Sequence, residues 1–114
     1  MGWHCIKKIE RGKPHVFFNL FYTMASTMAA QEEDEKKQFN RMIDTMYQAT
    51  ANASCVLKRK DSKRFFHALT SWCLEHLVAC YEKDGEWFDV EWQKSYIIGY
   101  HRHWTGDEYV EEDE

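Results

Sequence analysis

Residues 31–60 constrain the fold most, because their apolar side chains repeat with the period of an α-helix. At about 100° per residue these side chains fall on one stripe. The stripe comprises Phe39, Met42, Met46, Ala49, Ala53, Val56 and Leu57. Acidic residues crowd the start of the segment and basic residues its end, so both ends oppose the helix dipole. The pattern predicts an amphipathic helix.

The same stripe continues towards the N-terminus in the same phase. Its earlier members are Phe17, Leu20, Phe21, Met24 and Met28. Gln31 and Glu35 interrupt it, so residues 14–60 form either one long helix or two helices that meet near residue 31. An alternative makes residues 15–22 a strand, paired through a turn at 10–13 with residues 3–9. We favour the helix, since Pro14 suits a first helical turn.

A second helix is predicted over residues 63–83, with Asp61 or Ser62 as its N-cap and Asp84-Gly85 at its end. The short link after Lys60 predicts an antiparallel helical hairpin. The apolar residues of this helix cover most of its circumference, which indicates the middle of the core. Its central stripe comprises Phe66, Leu69, Cys73, Leu77 and Cys80.

The apolar period changes in residues 86–104, where large side chains occupy even positions. They are Phe88, Val90, Trp92, Tyr96, Ile98, Tyr100 and Trp104. This alternation is typical of a strand, whereas Ile97, Gly99 and the length of the segment keep a helix open as the alternative.

The chain has only one Pro and five Gly in 114 residues, too few for the tight turns of a many-stranded sheet protein. The predicted fold is therefore mainly α, an antiparallel helical hairpin or small bundle. The N- and C-terminal segments could add a small β element. We expect one compact domain over residues 1–106, followed by an acidic, disordered tail at 107–114.

Charge and hydropathy restrict the partners. A net charge of −4 argues against a general nucleic-acid binder, and no apolar run is long enough to span a membrane. The sequence opens without a secretory signal pattern. We therefore expect a cytoplasmic protein, or one in the host-cell cytoplasm if it is viral. Its four cysteines, Cys5, Cys55, Cys73 and Cys80, should then be free thiols.

Cys73, His76 and Cys80 have a spacing that suggests metal ligands on one helix. Seven helical residues place the two cysteines about 10.5 Å apart along the axis, too far to share one zinc ion. A tetrahedral site would need two more donors, for which His101 and His103 are available. Because Cys packs readily in cores, we interpret these residues as structural and expect no metal and no cofactor.

Two groups of residues could bind phosphate. Lys58, Arg59, Lys60, Lys63 and Arg64 form the densest basic run, although charge opposing a helix dipole explains them as well. His101, Arg102 and His103 could bind phosphate or act as a general base, but the sequence offers them no oriented nucleophile. In a strand His101 and His103 would share a face at an exposed edge. We expect no catalytic residue.

Aromatic residues make up 16% of the chain, more than a small core readily hides, so some should reach the surface as anchors for a protein partner. The predicted interaction residues are Trp92, Tyr96, Tyr100, His101, Arg102, His103 and Trp104. The acidic tail would steer a partner with a basic surface. Its acidic residues are Asp107, Glu108, Glu111, Glu112, Asp113 and Glu114.

These features favour a non-catalytic protein–protein interaction module: an adaptor, a self-associating subunit or an inhibitor. Small accessory proteins of phages or mobile elements that act on a host protein fit the same description. The alternative is a nucleic-acid-associated protein that uses residues 58–64 and 101–103. A small enzyme or metal-binding protein that uses the His and Cys residues ranks third.

Overall fold

The computed structural model describes residues 14–78 and 90–111, and within these ranges the regular structure is entirely helical. The helices are α1 (Pro14–Ala29), α2 (Glu35–Ala53), α3 (Arg59–Trp72) and α4 (Val90–Thr105). A π-helical turn, Cys73–Leu77, continues α3. The mainly α class is thus confirmed as a small helical bundle. Residues 15–22 are helical, and residues 3–9 of the suggested β element lie outside the described ranges.

α1 and α2 are two helices, because the chain leaves helical geometry at residues 30–34. The Asp34 side chain then caps α2 by accepting a hydrogen bond from the Lys36 backbone N–H at 3.2 Å. Gln38 Nε2 donates to the Glu32 carbonyl at 2.6 Å and ties the link to the first turn of α2.

The boundary predicted near residue 60, between what are now α2 and α3, is wrong by several residues. α2 ends at Ala53 rather than Lys60, and α3 begins at Arg59 with Lys58 as its N-cap. Neither Asp61 nor Ser62 caps α3; the Ser62 hydroxyl instead donates to Ser54 Oγ at 3.2 Å. The chain reverses at residues 54–58, so the basic run belongs to the turn and to α3. The predicted end near residue 83 lies outside the described ranges.

Strand and helix were both left open for residues 86–104, and where the chain is described the helix is the correct alternative, since residues 90–105 form α4. Even positions that are four apart also lie along one side of a helix. The alternation therefore contained a helical row. A neighbouring row is buried and comprises Gln93, Ile97, His101 and Thr105.

The core lies around α3, as the sequence predicted for the second hairpin helix. Phe66, Leu69, Cys73 and Leu77 are all buried, whereas Cys80 lies outside the described ranges. α1, α2 and α4 contribute Phe18, Phe39, Ile43, Met46, Tyr47 and Ile97 to the same cluster.

None of the helices described in these two ranges is both long enough and apolar enough to cross a membrane. α1 is the most apolar of them, and its 16 residues span about 24 Å. The hydrocarbon core of a bilayer is about 30 Å thick.

Candidate functional site

A buried chain of hydrogen bonds joins α2, α3 and α4. The Thr70 hydroxyl lies 2.7 Å from the Tyr47 hydroxyl and 3.1 Å from His101 Nδ1, and it donates to the Phe66 carbonyl at 2.9 Å. A hydroxyl has one donor and two acceptor positions. These three partners therefore occupy all of them, so Thr70 is a structural link between helices rather than a nucleophile.

His101 belongs to this buried chain and is only 3% exposed, so its predicted place at an exposed edge is wrong. Because Thr70 gives its proton to Phe66, we assign His101 as the neutral tautomer that donates from Nδ1. Burial, and after it the neighbouring His67, lowers the pKa of His101 below its usual range. His103 is exposed, because two helical residues turn it about 200° away from His101.

The first part of the predicted acidic tail, residues 107–111, lies along α3, and we call it the C-terminal strap. Gly106 starts it by ending α4 at φ 79°, where glycine is the favoured residue. Asp107 pairs with Lys63 at 2.9 Å, and Glu108 pairs with Arg102 at 2.7 Å. The hydrogen bond and charge of Lys63 lower the pKa of Asp107.

Tyr109 anchors the middle of the C-terminal strap. Its hydroxyl lies 2.7 Å from Ser71 Oγ, and its ring stacks on His67 with 4.6 Å between centroids. His67 Nε2 also donates to the Val110 carbonyl at 2.8 Å. Glu111 is the last described residue, whereas Glu112, Asp113 and Glu114 lie outside the described ranges. Residues 107–111 thus pack with the helices, and a role for the acidic residues in steering remains a prediction.

The basic run is divided by its contacts. Lys63 pairs with Asp107, and Arg64 lies 3.8 Å from Asp61. Lys58, Arg59 and Lys60 are exposed, and the described residues place no carboxylate within ion-pair distance of them. The sequence suggested five basic residues as phosphate contacts. Only these three have no ion pair with a carboxylate of the described residues.

Cys73 and His76 lie in different environments, one buried and one exposed. Cys73 is buried in the core, where burial raises the pKa of its thiol, and His76 is exposed with its ring 5.0 Å from that of Trp72. The structural interpretation of Cys73 is confirmed. Residues 14–78 and 90–111 contain no group of three His, Cys, Asp or Glu side chains that could hold a metal ion.

Four predicted interaction residues form the aromatic row of α4, namely Trp92, Tyr96, Tyr100 and Trp104. All four are half-buried against the core. Between ring centroids, Trp92 and Tyr96 each lie 5.7 Å from Phe39 of α2. The Tyr100 ring lies 5.3 Å from that of Tyr47, also on α2. The Trp104 ring stacks on that of Phe66 of α3, with 5.5 Å between centroids. One side of the row therefore attaches α4 to α2 and α3. Only its outer edges are available to a partner.

An open notch of about 460 Å³ lies between α2 and α4, and Gly99 is one of the residues that line it. We call it the Gly99 notch. Its walls are Ser95, Tyr96, Tyr100 and His103 from α4 and Asp44 from α2. The sequence pointed to three of these residues as interaction residues but not to Asp44, which looks like any solvated charge on an amphipathic helix.

A larger groove of about 1220 Å³ follows α3 beside the C-terminal strap. Its described walls mix cationic Arg64 and Lys94 with anionic Glu75 and Glu111, around Trp72. This mixture does not favour a ligand of either charge.

The outer side of α1 carries exposed apolar residues. Val16, Leu20 and Met24 are 43%, 62% and 45% exposed, and their spacing of four places them in one row, which we call the α1 face. Leu20 and Met24 were predicted to lie on the same stripe as Phe17, and this is wrong for both, since of these three residues only Phe17 is buried. α1 also buries Phe18, Ala25 and Ala29. The available signal was the absence of Asp, Glu, Lys and Arg from Pro14 to Gln31, in a chain that is 30% charged.

A scan against protein-family models and searches of curated proteins and of solved structures find no match for this chain.

Proposed function

We propose that the protein is a non-catalytic protein-binding module that docks on an apolar surface of its partner through the α1 face. The observation that supports this proposal is the exposed row of Val16, Leu20 and Met24 on a helix without a charged residue. Exposed apolar patches on small proteins mark interaction sites. The site where the complex forms is expected to be the cytoplasm, or the host-cell cytoplasm for a viral protein.

Three hydroxyl side chains beside the α1 face, those of Thr23, Ser26 and Thr27, can be covered by a partner without losing a hydrogen bond that they donate. Thr23 Oγ1 donates to the Asn19 carbonyl at 3.0 Å, and Thr27 Oγ1 donates to the Thr23 carbonyl at 3.1 Å. Ser26 Oγ donates to the same carbonyl at 3.0 Å. Their donors are satisfied within the helix, so desolvation by a partner leaves none of them unpaired.

The apolar area supplies a moderate driving force. Complete burial of a Val, Leu or Met side chain is worth roughly 1.5–3 kcal/mol. The three residues of the α1 face are already about half covered, so burial of the remainder contributes roughly 3 kcal/mol in total. A partner must therefore contact residues beyond the row to bind tightly.

The proposal is tested by capture of partners from a native lysate with the tagged full chain, with and without nuclease. Leu20→Glu places a charge in the middle of the α1 face and should abolish capture of the specific partner. The matched control Gln48→Glu adds the same charge at an exposed site on α2 and should capture as much as the parent. Sedimentation velocity of the same three proteins tests whether the partner is a second copy.

Equal capture by the Leu20→Glu variant and the parent would overturn the assignment of the α1 face. Loss of every partner on nuclease treatment would instead favour a nucleic-acid-associated protein, with Lys58, Arg59 and Lys60 as the phosphate contacts.

A further inference from the structure

Two rows of side chains, one on α2 and one on α4, face each other along one side of the bundle. Lys36 Nζ lies 5.5 Å from the centre of the Trp92 ring, and the Tyr100 hydroxyl donates to Asn40 Oδ1 at 3.2 Å. Asp44, one turn beyond Asn40, lines the Gly99 notch. The α2 row therefore places a cation, an amide and a carboxylate in succession against the aromatic row.

The two ends of this arrangement differ in what they contain. At the Trp92 end the chain supplies its own cation, Lys36, over the ring face. At the other end Asp44 lies beside Tyr96 and Tyr100, and no Lys or Arg of the described ranges pairs with it. The notch thus combines an anionic group with aromatic walls, and no Lys or Arg of the described ranges lines it.

Burial raises the pKa of both tyrosines, while the hydrogen bond between Tyr96 and Tyr100 and the charge of Asp44 have smaller effects, so the rings remain neutral at physiological pH. Neutral phenol rings present electron-rich faces to a cation.

Gly99 keeps the notch open. A Cβ atom built at this position would meet nothing within 4 Å, so the space over the backbone between the two tyrosines is free. A glycine in a helix interior costs stability, and here no close approach of another helix explains it. A larger side chain at this position would occupy the open space.

We propose that the Gly99 notch binds the guanidinium group of an arginine side chain presented by a partner protein. The planar group would lie against the Tyr96 and Tyr100 rings while its N–H groups donate to the Asp44 carboxylate and to Ser95 Oγ. Arginine fits better than lysine because guanidinium is planar and more weakly hydrated than ammonium. The net charge of −4 attracts a basic partner.

This site shares no residue with the α1 face, so it can fail or hold independently of the proposed function. It names the chemistry of a contact, an arginine from a basic segment, which the α1 face does not provide.

The test is a titration of the ¹⁵N-labelled full chain with the capped peptide acetyl-Gly-Ser-Arg-Ser-Gly-amide, followed by backbone amide shifts. The expected result is a saturable shift centred on the amides of Ser95, Gly99 and His103. Asp44→Asn should weaken the affinity by about fivefold or more, because the ionic hydrogen bonds are lost. The control Glu33→Gln removes the same charge at an exposed position and should change the affinity by less than about twofold.

Gly99→Leu provides a second variant, since a side chain there fills the notch and favours the helix. It should abolish the shifts while the far-UV circular dichroism stays that of the parent. A peptide with Gln in place of Arg should leave the amides unchanged, and one with Lys should bind more weakly than Arg. The proposal is overturned if Asp44→Asn binds like the parent, or if the Gln peptide shifts the same amides as strongly.

Discussion

α1 and α4 each contain 16 residues, but they present different surfaces to solvent. α4 buries Gln93 and Ile97 and exposes charged residues such as Glu91 and Arg102. α1 buries Phe18 and has apolar side chains on both its inner and its outer side. An ordinary surface helix has one apolar side, as α4 does. The exposed side of α1 is thus more apolar than the exposed side of α4.

The largest effect expected from this comparison is on stability. Ile97→Ala should lower the free energy of unfolding by about 3 kcal/mol, because it leaves a cavity in the core. Leu20→Ala on α1 removes a similar volume from an exposed position and should cost less than about 0.5 kcal/mol. Urea denaturation followed by circular dichroism measures both. Comparable losses of stability at the two positions would mean that Leu20 is buried in the fold as Ile97 is.

The stability of the fold should depend on pH through His101, the buried residue by which α4 bonds to α3. The pKa of His101 is lower in the folded chain than its value near 6.5 in the unfolded chain, so the unfolded chain binds more protons between the two values. The free energy of unfolding should therefore fall as the pH drops through about 6.5 and level off below the folded pKa. Asp107 acts separately, because its stabilising effect is lost only as the pH falls below about 4.

Thermal unfolding of the parent and of His101→Gln between pH 7.5 and pH 5 is the measurement for this prediction. The variant should show a flatter profile over this range. Equal slopes in the two proteins would contradict the role of His101.

A smaller effect is expected at Gly99. Gly99→Ala should raise the free energy of unfolding by about 0.5–1 kcal/mol, because alanine favours the helix and its Cβ meets no neighbour. The urea midpoint reports this change, with Ser95→Ala as a control at an exposed position on the same helix. A loss of stability in Gly99→Ala would show that the notch is already filled in the folded chain.

The periodic segments of the sequence allowed much of this fold to be predicted. Phe66, Leu69 and Cys73 repeat at helical spacing, and the central helix of the core followed from them. α4 was not predictable with the same certainty, because large residues four apart satisfy strand alternation and helical spacing together. Periodicity identifies an apolar side but not which side another helix covers, so Leu20 was assigned to the wrong one.

The candidate sites depend even more on contacts between distant residues. Asp44 and Tyr96 meet only after α2 and α4 pack, and His101 is buried only because Thr70 faces it from α3. No local pattern contains this information. The lack of charge from Pro14 to Gln31 was the one local signal, and its meaning required the observed exposure of the α1 face.

The central claim, that the α1 face is free in the isolated chain, is tested most directly by the free energy of unfolding of Leu20→Glu. Urea denaturation at low protein concentration excludes a contribution from self-association. A charge at a solvent-exposed helical position should change the value by no more than about 0.5 kcal/mol. A loss of about 2 kcal/mol or more would mean that Leu20 is buried within the fold, and it would contradict the account.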